Sequence, residues 1–234
     1  MIQVIPIEGL PEVRPGDVIA ELIVATGVQL AAGDVVVVTQ KIVSKAEGRL
    51  APVRAGEEEQ REDYLRLVEQ ESVRVLRRRG ELVISETRHG FVCANAGVDV
   101  SNMEEGTAAL LPVDPDRSAR RIRDGLRARA GVEVGVIVSD TFGRPWRRGL
   151  VDVAIGCAGV AAVVDLRGTT DARGRVLAGT EICVADELAG AAELVMGKAS
   201  GVAAAIVRGA DPTWLRESSV RGEVVRPPAE DLFR

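Results

Sequence analysis

Residues 35–38 are four consecutive valines, and the runs at 134–138, 161–166 and 202–207 are nearly as apolar. Successive side chains of a strand point to opposite faces, so a run that is apolar at every position suits a strand covered on both sides. This requirement constrains the chain more than any other feature, because helices must be available to cover both faces. Shorter strand-like runs occur at 2–7 and 82–84.

The intervening segments supply the helices. Residues 57–79 carry Tyr64, Leu65, Leu67, Val68, Val73 and Leu76 among charged residues, and predict one long amphipathic helix. Asp114-Pro115, a cap followed by proline at the first helical position, opens a second helix that presents Ala119, Ile122 and Leu126 and stops near Gly131. A third runs from about Asp186 to Gly197. The expected class is α/β, with mixed sheets and packed helices. Residues 1–234 read as a single domain with room for two intertwined α/β subdomains, and no internal repeat or long linker divides them.

A net charge of −5 offers no overall basic field for nucleic acid. The N-terminus has no basic segment followed by an apolar one, and no apolar run approaches the ~18 residues of a membrane span, so a cytoplasmic, non-membrane protein is expected. Cys93, Cys157 and Cys183 form no C-x-x-C pair and read as reduced, buried thiols, and His89 is the only histidine. A bound metal would therefore rely on oxygen ligands, which favours Mg²⁺ or Mn²⁺. Neither G-x-x-x-x-G-K-[ST] nor G-x-G-x-x-G occurs, so neither a P-loop nor a Rossmann cofactor site is expected.

Four segments carry candidate chemistry. VIVSDTFGRPWRRG, 136–149, places Asp140 and Thr141 at the carboxyl end of a buried strand, followed by Gly143, Gly149, Arg144, Arg147 and Arg148. An acid there suits a divalent cation, and the arginines suit phosphate oxygens. The same residues equally suit an aspartate capping a turn beside solvated arginines. CANAGVDVSNMEEG, 93–106, offers Asp99 and Asn102, either as metal and ligand contacts or as a simple Asx turn. VVVVTQKIVSKAEGRL, 35–50, delivers Gln40, Lys41 and Lys45, phosphate-binding cations or a solvated strand end. GLPEVRPGD, 9–17, is a tight Pro/Gly loop with amides for a ligand or merely a change of chain direction.

Taken in order and spacing, GLPEVRPGD, VVVTQKIVSKAEGR, NAGVDVSN, LLPVDPD, SDTFGRPWRRG, VADELAGAAELVMGK and VVRG resemble the coenzyme F420-0:γ-glutamyl ligase family. The likeness is both to the stand-alone ligase and to the ligase half of a two-domain actinobacterial version. The resemblance implies an F420 ligase-type α/β fold, an intertwined homodimer, and a GTP-dependent ligase that forms an acyl phosphate. Such an enzyme joins L-glutamate to F420-0, then adds γ-linked glutamates to F420-1, releasing GDP and phosphate. It implies Mn²⁺ or Mg²⁺, with K⁺ as a further ion. Carried onto this sequence, Asp99 and Asp140 are metal carboxylates and Thr141 belongs to a second ion. Leu10, Pro11, Glu12, Val13, Gln40, Lys41, Lys45, Asn102, Met196, Gly197 and Lys198 match nucleotide-contacting positions, and Lys45 and Arg144 join the two aspartates in the reaction. Lys198 departs from members that carry an acid after the Met-Gly pair, and a cation cannot ligate a cation. That departure keeps open a non-catalytic module that binds GTP or the deazaflavin; structural carboxylates in a scaffold for a partner flavin enzyme are a separate alternative. For the base that frees the glutamate amine, His89, Glu104 and Glu105 stand as equal candidates.

Overall fold

In the computed structural model, which describes residues 1–232, the valine run 35–38 becomes β2, Val35–Thr39, near the middle of a five-stranded sheet. Its companions are β1 (Gln3–Pro6), β8 (Gly135–Arg144), β9 (Arg147–Ala158) and β12 (Ala204–Arg208), in the order β1-β12-β2-β8-β9. β2 and β8 run parallel, and the other neighbours are antiparallel. The intervening elements are β3 (Leu50–Pro52), β4 (Ser72–Arg79), β5 (Leu82–Thr87), β6 (Val92–Ala94), β7 (Thr107–Ala109), β10 (Val164–Asp165) and β11 (Glu181–Ile182). The helices are α1 (Ile19–Ala25), α2 (Gln40–Ala46), α3 (Glu57–Glu71), α4 (Pro115–Ala130), α5 (Val184–Met196) and α6 (Val220–Glu223). The expected mixed α/β class is therefore observed.

Alternation along the central strands divides the core as the apolar runs require. Val36, Val38, Val136 and Val138 pack with residues of α1, α2 and α4, including Ile23, Val43, Ile122 and Leu126. Val35, Val37 and Ile137 face the other way, onto Ala185, Leu188, Ala192 and Met196 of α5. A third apolar cluster, with Val53, Val68, Val83, Val98 and Leu110, joins α3 to the small sheets β3-β7 and β4-β5-β6.

Three local expectations need correction. The helix read over 57–79 ends at Glu71, and Ser72–Arg79 is an edge strand paired antiparallel with β5. The sequence SVRVLRRR has β-branched residues and nearly no apolar stripe of helical period, so pairing with β5 wins over local helix propensity. Ordered strand within 161–166 shrinks to Val164–Asp165, because Ala161 is held as a buried loop by its amide bonding the Trp214 carbonyl. The arginines after Asp140 lie on no strand-end loop, though Arg147 and Arg148 are exposed: β8 continues to Arg144 and returns as β9 in a hairpin. Pro145 and Trp146, the latter at φ 58°, form its turn.

Close packing of α4 on β9 orients the hairpin. Gly156 lies under the start of α4, and a Cβ there would sit 2.6 Å from the Asp116 nitrogen. Buried Asp116 then accepts from the amides of Cys157 and Val220, at 2.9 and 2.8 Å, and so ties α4 to β9 and α6. Gly156→Ala is expected to destabilise the fold by about 1–3 kcal/mol through overpacking, read as a lower denaturant midpoint. An unchanged midpoint would show that this contact yields without cost.

Candidate active site

The candidate residues gather at the carboxyl ends of the parallel pair β2 and β8, where Thr39 and Ser139 are register partners. Ligands of α/β sheets favour this position because fixed strands deliver side chains into the crevice beyond their ends. β2 leads directly into α2, which carries Lys41, while β8 carries Asp140 and Thr141. From the turn that follows β6, Asp99 reaches the same place and pairs with Lys41 at 2.9 Å. Lys41 also donates to the Ser101 carbonyl at 2.6 Å. Burial pushes the Asp99 carboxyl up, but the hydrogen bonds from Lys41 and Ser101 outweigh it and hold the group below the ordinary carboxylate range.

Asp140 has the opposite environment. Burial raises its pKa to about 7; the Thr141 amide at 2.9 Å and Lys198 work against that rise, while the charges of Asp99 and Asp152 add to it. Cys93 lies close enough to feel Asp140, and burial followed by that charge pushes its thiol up to about 12. All three cysteines are unpaired thiols, with Cys93 and Cys157 buried and Cys183 half-buried.

Asp152 is the residue that sequence reasoning missed. A bulge sets Val138 opposite Gly156 but Ser139 opposite Ala154, so Ile155 is the extra residue on β9. Bulges of this kind re-aim side chains beside functional sites. Here the shift puts Thr141 directly across from Asp152 and leaves Ser139 on the same, α5-facing side. Asp152 accepts from the Thr141 hydroxyl at 2.5 Å and the Ser139 hydroxyl at 3.0 Å. Its carboxylate is buried, and Lys198 Nζ lies 3.7 Å away while also bonding Thr141. Glu193 of α5 stands 4.0 Å from the same ammonium. The available signal was a single acid within the apolar strand LVDVAIG, a pattern that also fits an outward-facing residue.

Other predicted positions spread around this centre. Lys45 pairs with Glu12, which brings α2 to the GLPEVRPGD loop; Val13 is buried in the core, Leu10 packs against it, and Pro11 is exposed. Gln40 is buried and donates to Ser44 and to the Leu110 carbonyl, at 2.6 and 3.1 Å. Asn102, at φ 53°, donates to the Lys198 carbonyl at 3.3 Å, so the turn bearing Asp99 touches the segment after α5. Met196 is fully buried under the sheet, and Gly197 at φ 58° turns the chain so that Lys198 faces the carboxylates. Arg144 is not brought to the cluster. It lies four residue steps along β8 from Asp140, about 13 Å at the usual rise, and its Nη2 donates to the Arg148 carbonyl at 2.8 Å. His89 is engaged elsewhere, its Nε2 on the Pro112 carbonyl at 2.8 Å and its ring stacked on Phe91. A cavity of about 470 Å³ between α1, α2 and α4, lined by Val18, Val43 and Val113, lies outside the carboxylate cluster.

The donor set fits a hard cation in part. Asp99 and Asp140 repel one another and supply oxygen donors from separate segments, as such an ion requires. Among the described residues, however, no group of three or more His, Cys, Asp or Glu side chains forms a cage. The Thr141 hydroxyl is occupied by Asp152 and Lys198, so an ion there would compete with the ammonium.

A family model described as F420-0:Gamma-glutamyl ligase matches residues 9–209. The chain belongs to this ligase family. Curated relatives named coenzyme F420:L-glutamate ligase are 44% identical in Methanothermobacter thermautotrophicus, covering all of this chain and 99% of the relative, and 44% identical in Methanopyrus kandleri, covering all of this chain and 97% of the relative. A relative of the same name from Archaeoglobus fulgidus is 40% identical, with 100% and 96% covered. As an F420-0:γ-glutamyl ligase family member the chain is an enzyme, and among the described residues no helix is long and apolar enough to cross a membrane.

Because the fold raises the Asp140 pKa, it favours the protonated acid; that contribution is full below the ordinary carboxylate pKa and is lost as pH climbs through about 7. In chelator-treated protein, Asp140→Asn is expected to raise the thermal midpoint at about pH 8 and to leave it unchanged at about pH 4, where the native acid is already neutral. Equal midpoints at the higher pH would refute the raised pKa.

Proposed function

We propose that the protein is a GTP-dependent ligase that attaches L-glutamate to coenzyme F420-0 through an acyl phosphate and then extends F420-1 with γ-linked glutamates. The observation that carries this reading is the meeting of Asp99 and Asp140, from separate segments, beside Lys41 and Lys198. It is supported by the printed name of relatives that align along the whole chain.

A free carboxylate is a poor acyl donor, because its leaving group would be oxide. In the first step the F420-0 carboxylate oxygen attacks the γ-phosphorus of GTP; the bond to the bridging oxygen breaks, giving an acyl phosphate and GDP. In the second step the neutral glutamate amine attacks the acyl carbon. The new carbon–nitrogen bond replaces the carbon–oxygen bond, phosphate departs, and the amine proton passes to base or solvent. Positioning and charge compensation supply most of the acceleration in such transfers. Lys41 and Lys198 place positive charge beside the reacting anions, and Lys45, with the loop bearing Leu10–Val13, borders the nucleotide. Asp99 and Asp140 would hold Mn²⁺ or Mg²⁺, with K⁺ as an accessory, and a second ion at Thr141 would first have to displace the Lys198 ammonium. A bound divalent ion would neutralise developing charge on phosphate oxygens. Arg144, on the hairpin arm, serves an anionic group at the rim. His89 is a weak choice for the base, since burial lowers its pKa and its Nε2–H donates to a carbonyl.

With GTP, Mn²⁺, L-glutamate and F420-0, the purified protein is expected to release GDP and to form products heavier by single glutamyl units. Asp140→Asn is expected to cut turnover by about 100-fold or more, a usual size for losing a main electrostatic contributor. Nucleotide binding without any glutamylated product would instead favour the non-catalytic module.

The proposed homodimer is supported by apolar side chains left outside: Val73 and Val75 on edge strand β4, and Leu150 and Trp146 on the hairpin arm, are all exposed. Light scattering is expected to give twice the chain mass, and Val73→Glu with Val75→Glu is expected to shift it toward the monomer. A monomeric wild type at micromolar concentration would overturn the dimer.

A further inference from the structure

We propose that Asp152 is a positioning residue whose buried carboxylate fixes the Lys198 ammonium and the Thr141 hydroxyl at the mouth of the site, making Lys198 a tethered cation for the anionic reactants. The inference rests on the ligase reading above and deepens it. An ionised carboxylate is retained in an interior only with hydrogen bonds and a compensating charge. The Ser139 and Thr141 hydroxyls provide the hydrogen bonds to Asp152, and Lys198 provides the charge.

The two ends of this pair differ in a way that points to function. Asp152 is 2% exposed, whereas Lys198 is 62% exposed. A purely structural ion pair would gain little from leaving its cation open to solvent, where water screens the attraction. An exposed lysine ordinarily samples many rotamers, yet this one is held by Thr141, Asp152 and Glu193, contributed by β8, β9 and α5. Its backbone is also held, through the Asn102 amide that reaches the Lys198 carbonyl. An ammonium has three donors, and only the Thr141 hydroxyl takes one as a hydrogen bond, Asp152 and Glu193 standing off at 3.7 and 4.0 Å, so the tether leaves capacity for an incoming phosphate or carboxylate oxygen. The bulge after Val138 is what brings Asp152 under Thr141, and without it the acid would lie on the opposite face.

Asp152→Asn, Lys198→Met, the double variant and Lys198→Arg test the idea. In nucleotide-free protein, the Lys198 ε-methylene protons are expected to give two distinct NMR signals in the wild type and one averaged signal in Asp152→Asn. In steady state, Asp152→Asn is expected to lower kcat about tenfold or more with a much smaller change in KM, and the double variant is expected to be no worse than the poorer single one. Lys198→Arg is expected to recover a large part of the activity lost in Lys198→Met, and this arm stands even if Asp152→Asn fails to fold. Unchanged methylene signals in Asp152→Asn, additive kinetic losses, or equal losses in the arginine and methionine variants would each overturn the proposal. Should the wild type form no glutamylated product, the ligase reading fails, while the methylene signals still decide whether Asp152 tethers Lys198.

Discussion

Buried Asp140 feels two further carboxylates, Asp99 and Asp152, at the carboxyl ends of β2 and β8. Like charges in such a place must be neutralised by protons, by cations or by both. The protein uses both: Asp140 is pushed toward protonation, Asp99 is paired with Lys41, and Asp152 faces Lys198. Each acid is answered within the protein, and the balance holds only while the three stay in place.

The scaffold keeps that balance in place. The central strands are sealed on both faces, by α1, α2 and α4 on one side and α5 on the other, so the strand ends cannot shift without disturbing packed cores. Close contact of α4 with Gly156 anchors β9, and the bulge one residue away sets the face on which Asp152 emerges. The marginal segments are held as well. The GLPEVRPGD loop is held to α2 through Glu12 and Lys45, and the turn at 99–102 is held through Lys41 and Asn102.

The hairpin beyond Asp140 separates two roles that look merged in one dimension. Asp140 belongs to the strand end and its buried charge balance, whereas Arg144, Arg147 and Arg148 ride on an arm that leaves the sheet, alongside exposed Trp146 and Leu150. An acid and three cations within nine residues thus serve different surroundings.

By itself the sequence determined the buried strands, because apolar residues at every position admit little else, and it determined α4, whose Asp114-Pro115 start and Gly131 stop are local signals. Family membership was also legible, from short ordered motifs. The switch from helix to strand at Ser72 was not, because pairing with β5 is a contact between segments rather than a local preference. Nor was Asp152: only the register of β8 against β9, shifted by one bulged residue, decides that it lies beneath Thr141 and within reach of Lys198. Strand register and side-chain burial arise from packing between distant parts of the chain, so tertiary structure alone could decide which acids share one volume and which cations answer them.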